Sequence, residues 1–150
     1  MKIYLASKFE NKMLINVLSI FIKDRIKKVK IVSIWHNYDK PVPDLKERAK
    51  IDYSGVRECD VLIATAPFGT GTNSEMGYAL GLGKKVIYLV DKMFYDGTII
   101  PSIGDPYPLP VGMLDELFIA DEESNGYIVH DLYNLIFILN ILKDKFKREE

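Results

Sequence analysis

Cysteine is almost absent from this 150-residue sequence: Cys59 stands alone, so no disulfide can close within the chain. Two histidines and that single cysteine, without ligand spacing, do not make a zinc site. Charge of one sign is not in excess either. Twenty Lys and Arg stand against 21 Asp and Glu, for a formal net charge of −1. A nucleic-acid partner calls for a strongly basic domain or stripe, and the composition offers none. The Lys-rich stretch 23–30 (Lys23, Arg25, Lys27, Lys28, Lys30) alternates with apolar residues and reads as the solvated end of a helix. No uninterrupted apolar run approaches the ~18 residues that a spanning helix needs. The opening MKIYLASKF lacks the long apolar core of a signal peptide. No membrane partner and a cytoplasmic location are therefore expected. Internal repeats and low-complexity tails are missing too.

What is present is a chain of single-domain size, 48% hydrophobic, with material for a real core. One domain over 1–150 is expected. Four short runs are rich in β-branched residues or Tyr: 2–6, 29–35, 61–66 and 86–90. Each is nearly continuous rather than alternating, the pattern of a strand buried on both faces. A weaker fifth run lies at 117–120. Between them the spacing becomes helical. Residues 10–28 put Met13, Leu14, Val17, Leu18, Phe21, Ile22 and Ile26 on one stripe. Residues 44–58 open on Asp44 after Pro43, an N-cap signal, with Gly55 a local weak point. Residues 73–83 stop at Gly83, a C-cap signature, and 126–147 read as one long helix. Strand and helix in alternation predict right-handed crossovers. The expected fold is α/β: a flavodoxin-like five-stranded parallel sheet with helices on both faces. The Gly- and Pro-rich segment 91–116 is too long for a bare connection, and a functional role or a subunit contact is expected for it.

Open parallel sheets bind ligands at the carboxyl ends of their strands. Three features converge there. Ser7 closes the first strand, after Tyr4. Asp52 sits on the helix before the third strand. The stretch 66–77 leaves the third strand with Gly69, Thr70, Gly71, Thr72, Asn73, Ser74 and Glu75. Its glycines let a ligand approach the backbone. Its hydroxyls donate, and a helix opening near Thr72 or Asn73 presents free N–H groups to an electron-rich oxygen. The glycine spacing is not that of a Walker loop, and no Lys-Ser/Thr pair follows. Thr72-Asn73-Ser74-Glu75 also fits a capping box, so Glu75 reads either as a cap or as a functional carboxylate.

The combination of YLAS-F, a Trp-bearing end to the second strand, an Asp-bearing helix, CDVLIA and GT-x-x-E-x-GYALGLGK-x-V resembles the nucleoside 2-deoxyribosyltransferases and their N-glycoside-hydrolase relatives. The resemblance covers 1 to about 90, and its most specific part is Glu75-Met76-Gly77-Tyr78-Ala79 after the Gly-Thr pair. It implies that Glu75 is the nucleophile. Glu75 would attack C1′ of a 2′-deoxynucleoside, form a covalent 2-deoxyribosyl ester, and pass the sugar to another base. The chemistry is that of a retaining glycosidase, where a carboxylate captures an oxocarbenium-like centre. The resemblance also implies that Tyr4 orients that carboxylate and that Asp52 lies near the leaving base or sugar. Against this stand a Tyr packed in the core and an acid on a helix surface.

Phe9 falls where the family often lines its sugar pocket with an aromatic, and Lys8 is unusual in its slot, a candidate phosphate contact. Trp35 reads as a base-stacking ring or as core packing. His36 reads as a loop histidine facing solvent. The pattern departs at Gly69, where many of those transferases carry an aspartate. Some relatives that hydrolyse nucleoside 5′-monophosphates also lack that acid and place a hydroxyl nearby for phosphate, a part open to Thr70, Thr72 or Ser74. The substrate class is thus a small nucleoside or nucleotide. Base transfer and nucleotide hydrolysis both stand open, beside a phosphoribohydrolase-like activity and a non-catalytic nucleotide-binding module. No cofactor and no metal are implied. Relatives often complete their sites from a neighbouring subunit, so a homodimer or larger even oligomer is expected.

Overall fold

The computed structural model describes residues 1–65, 70–91 and 125–148. Among these residues five strands form one all-parallel sheet: β1 Lys2–Ala6, β2 Lys30–Ile31, β3 Val61–Thr65, β4 Lys85–Leu89 and β5 Gly126–Val129. Their order is β2-β1-β3-β4-β5. This is the flavodoxin-like arrangement, whose direction of winding reverses between β1 and β3. β3 is buried at every position, and β1 and β4 at all but the first. That explains their unbroken apolar sequences, since layers cover both faces of the sheet.

Among the described residues four helices accompany the strands: α1 Lys12–Arg25, α2 Leu45–Glu58 and α3 Thr70–Gly81 between strands, and α4 Leu132–Phe146 after the last of them. The reversal at β1 and right-handed crossovers set α1 on one face and α2 and α3 on the other. Their ends follow local chemistry. Asp44 caps α2 by accepting from the Glu47 N–H at 2.7 Å. Gly83 closes α3 at φ +71°, where a side chain would be strained. No helix among the described residues is long and apolar enough to cross a membrane.

Two expected elements come out differently. The apolar run 29–35 gives only a two-residue ladder in β2. Past Ile31 the Val32 N–H still donates to the Ile3 carbonyl at 2.8 Å. Side chains then take over the strand edge. The Leu5 N–H donates to Ser33 Oγ at 3.1 Å, and Trp35 Nε1 donates to the Leu5 carbonyl at 2.7 Å. With both Leu5 groups taken, the chain turns into a short 3-10 segment at Trp35–Asn37.

The second correction concerns 126–147, which is not one helix. Tyr127, Ile128 and Val129 join the sheet beside β4, and Asp131 restarts the chain as the cap of α4, accepting from the Asn134 N–H at 2.7 Å. His130 is an exposed residue between the two elements. The weak fifth run at 117–120 and the segment 91–116 beyond Asp91 lie outside the described residues.

Candidate functional site

The reversal between β1 and β3 opens a cleft at the carboxyl ends of those strands, and one side chain reaches it from below. Tyr4, in the middle of β1, is buried to 1% exposure, with its ring against α2. Its phenol oxygen lies 3.0 Å from Glu75 Oε1 and 3.3 Å from Asp52 Oδ1. Three elements thus meet at one hydroxyl: β1 supplies Tyr4, α2 supplies Asp52 and α3 supplies Glu75.

Glu75 is not a capping residue. α3 already begins at Thr70, so no acid stands in its first turn. Glu75 falls in the second turn and faces inward, at 8% exposure. The helix expected to open near Thr72 or Asn73 starts two or three residues earlier. A carboxylate carried into the protein on a helix face, rather than at its end, must find partners there. The Tyr4 hydroxyl is the partner Glu75 has.

Burial disfavours the charged form of Glu75, and the neighbouring Asp52 charge adds to this. Together they push its pKa up to about 8, although the Tyr4 hydrogen bond works in the opposite direction. Burial also raises the pKa of half-buried Asp52, against the pull of Tyr4 and of the Arg48 charge. Tyr4 is raised far above the usual phenol range, first by burial and then by the two carboxylates. It therefore stays a proton donor. Its one proton serves one carboxylate at a time. At neutral pH the assembly holds a proton between two acids, and they titrate as a unit.

Above this trio lies a cavity lined by Ser7, Phe9, Trp35, Gly71 and Thr72 together with Asp52 and Glu75. Lys8 lines it too, so eight of the sequence candidates share one cavity. Ser74 lines an adjoining cavity that also touches Asp52 and Glu75. Gly69 lies outside the described residues. Thr70 opens α3, and its side chain is likewise outside the description. Ser7 is held in a defined state. Its Oγ accepts from Thr65 Oγ1 at 2.7 Å and from Asn11 Nδ2 at 2.9 Å, which leaves its own proton to donate. Phe9 tilts against Trp35, with ring centroids 6.3 Å apart.

His36 does not face solvent. It is buried, with Nδ1 2.6 Å from Asn16 Oδ1 and Nε2 3.3 Å from Ser33 Oγ. An amide oxygen only accepts, so Nδ1 carries the proton and Nε2 takes one from the serine. Burial lowers the pKa of this imidazole. The neutral ring fixes the backbone turn that carries Trp35 to the cavity.

Lining residues absent from the sequence candidates are Arg48, Ile51, Tyr38, Pro41 and Val42. Arg48 had a signal. It stands four residues before Asp52 on α2, and helix residues so spaced share a face. Tyr38, Pro41 and Val42 come from the connection before α2, where no local pattern marks them. Among the described residues, no group of three or more His, Cys, Asp or Glu side chains could hold a metal ion.

Solved structures share this fold. A CMP N-glycosidase, BcmB, from Clostridium botulinum matches at TM-score 0.57 and 22% identity, over 94% of this chain and 99% of that one. A conserved protein from Enterococcus faecalis V583 matches at TM-score 0.60 and 20% identity, over 97% and 98%. At these identities the likeness establishes the α/β fold. A 2-desoxiribosyltransferase from Leishmania mexicana overlaps more loosely, at TM-score 0.44 and 24% identity, over 59% of this chain and 63% of that one. No family model and no curated protein sequence matches the chain.

Proposed function

We propose that this protein cleaves the N-glycosidic bond of a 2′-deoxynucleoside or its nucleotide, with Glu75 as nucleophile, as in the nucleoside 2-deoxyribosyltransferases and their hydrolase relatives. One observation carries the reading: the buried Glu75 carboxylate lines a cavity and is oriented by the Tyr4 hydroxyl at 3.0 Å. A cap or an ion-pair partner has no need of a phenol beneath it and open space above. A Glu75 oxygen bonds to C1′ as the C1′–N bond breaks, and the electron pair leaves with the base. A proton from solvent, relayed by Asp52 at the cavity wall, passes to the departing base nitrogen. A second base, or water, then attacks C1′ and frees the carboxylate. The Ser7 hydroxyl, limited to donating, suits a sugar oxygen. Phe9 and Trp35 suit the apolar face of a sugar or base.

Hydrolysis is the second reading. It is favoured by Gly69 in place of an acid and by the fold shared with a CMP N-glycosidase. The experiment that tests both readings incubates the protein with each deoxynucleoside and each deoxynucleoside 5′-monophosphate. A second free base is present or absent, and the products are separated by chromatography. A new nucleoside formed only with the second base identifies transfer. Base released without it identifies hydrolysis. If no substrate changes, Glu75 is not a glycosidic nucleophile.

Two predictions accompany this reading. Tyr4→Phe deletes the orienting hydrogen bond and is expected to slow base release about 10- to 100-fold, with little loss of folded protein. It also removes the contact that lowers the Glu75 pKa, so the rate should need a more alkaline pH than in wild type. The pH profile gives the second. The attacking group must be ionised, and Glu75 ionises near 8. kcat/KM is therefore expected to fall about tenfold per pH unit below that point. Asp52→Asn removes the neighbouring negative charge and should move this limb to lower pH, whatever it does to the maximum. A limb that stays in place would show that the two acids are not coupled.

A further inference from the structure

Among the described residues Arg48 has no partner that accounts for its position. It lies on α2 one turn before Asp52 and lines both cavities at the site. Its Nε is buried without a hydrogen bond, and among the described residues the guanidinium makes no ion pair. The group carries five N–H donors and cannot lose its charge. A donor removed from water and left unpaired is costly, and a ligand oxygen is an acceptor that would satisfy it. Lys8, from the loop after β1, lines the same cavity. It is half-buried, and among the described residues its ammonium makes no ion pair. A chain with one more acid than base thus leaves two cations unpaired around a single cavity.

The two carboxylates of the floor do not explain this. Asp52 is near enough to feel the Arg48 charge but not near enough to pair with it. Both cations line the cavity that Asp52 and Glu75 also line, and an anionic oxygen acceptor entering it would be drawn to them.

We propose that Arg48, with Lys8, binds the 5′-phosphate of the substrate and makes nucleoside 5′-monophosphates the preferred class. This rests on the glycosidic reading of the same site and narrows it. A planar fork that forms paired hydrogen bonds with phosphate oxygens suits Arg48, and a single ammonium suits Lys8. Arg48 sets specificity. It touches the phosphate and takes no part in bond breaking.

The test measures binding separately from turnover. Glu75→Gln protein is titrated calorimetrically with ribo- and deoxynucleoside 5′-monophosphates and with each parent nucleoside. The monophosphates are expected to bind at least ~10-fold tighter than the nucleosides. Adding Arg48→Ala should weaken monophosphate binding about 30-fold and leave nucleoside binding within about threefold, with Arg48→Lys in between. Arg48→Gln, close in length, serves if the alanine variant melts early.

Three results overturn the proposal. One is an equal loss for nucleoside and monophosphate, which would assign the guanidinium to a base oxygen. Another is a phosphate preference that survives Arg48→Ala, which would place the phosphate elsewhere, for example at the start of α3. The last is no preference for, or no binding of, any monophosphate. Wild-type turnover decides the other question independently. Arg48-dependent binding without cleavage by Glu75 would sink the glycosidic reading and keep this one. Cleavage of nucleosides and monophosphates at equal efficiency would do the reverse.

Discussion

Glu75→Gln is expected to abolish base release, by ~10³-fold or more, and at the same time to make the protein more stable. The two effects have one cause. The carboxylate is held in a nearly dry place, beside a second acid, where its charged form is disfavoured and its pKa is raised from 4.5 to about 8. In the unfolded chain the same group ionises near 4.5. Between those values the folded protein holds a proton that the unfolded chain has released. The contribution of Glu75 to stability is therefore complete below about pH 4.5 and is lost as pH rises through 8.

Glutamine keeps the oxygen that accepts from Tyr4 and carries no charge to desolvate. At pH 8 it should recover on the order of 3 kcal/mol, equivalent to a melting temperature about 5–10 °C higher in a chain of this size. At pH 4 the two proteins should melt together. Calorimetry at both pH values, beside a base-release assay, reads both halves. A glutamine variant within tenfold of wild-type activity would remove Glu75 as nucleophile. A variant that melts lower at pH 8 would show that the charge is matched in the fold rather than held against it. Stability given up at the reacting group is the usual mark of a functional site.

How far this arrangement is legible in the sequence depends on whether the deciding contact is local. β1, β3 and β4 are legible because burial on both faces leaves no polar alternation to misread. Asp44 and Gly83 mark helix ends because a cap is a contact within one turn. Tyr4, Asp52 and Glu75 each stand out in the sequence, and the fold brings all three to one hydroxyl.

What escapes a sequence reading is decided at a distance. β2 is cut short by Ser33 and Trp35, whose partners are the backbone groups of Leu5 in another strand. His36 is buried because Asn16, on α1, meets it. The capping-box pattern at Thr72 is a true local signal overridden by an earlier helix start. Residues 126–129 pass for helix because Ile128 fits the spacing of Leu132 and Leu135. Only pairing with β4 assigns them to the sheet. Arg48 is within reach, since its offset from Asp52 places both on one face of α2.

Gly55 is the residue whose meaning changes most between sequence and structure, and it yields the second large prediction. In the sequence it is a weak point in a helix. In the fold it is where α2 admits the Tyr4 ring: a Cβ at 55 would lie 2.7 Å from Tyr4 Cε2 and 2.8 Å from Cδ2. On an open helix face Gly→Ala stabilises by about 1 kcal/mol. At position 55 the added methyl meets the body of a ring that is buried and held at its tip by two acids, so the ring cannot swing aside without moving its hydroxyl.

Gly55→Ala is thus expected to reverse the usual sign and cost about 1–2 kcal/mol, the helix gain being outweighed by overpacking. It should also slow base release about tenfold or more by displacing the Tyr4 hydroxyl from Glu75. The coupling is readable. If Gly55→Ala acts through that hydroxyl, then in a Tyr4→Phe background, where the hydroxyl is gone, it should cost stability as before and almost nothing further in rate. Full additivity in rate would mean that the helix, and not the ring, carries the damage. A stabilised and fully active Gly55→Ala would mean that Tyr4 is free to move, and with it would go the claim that β1 and α2 together fix the carboxylate of α3.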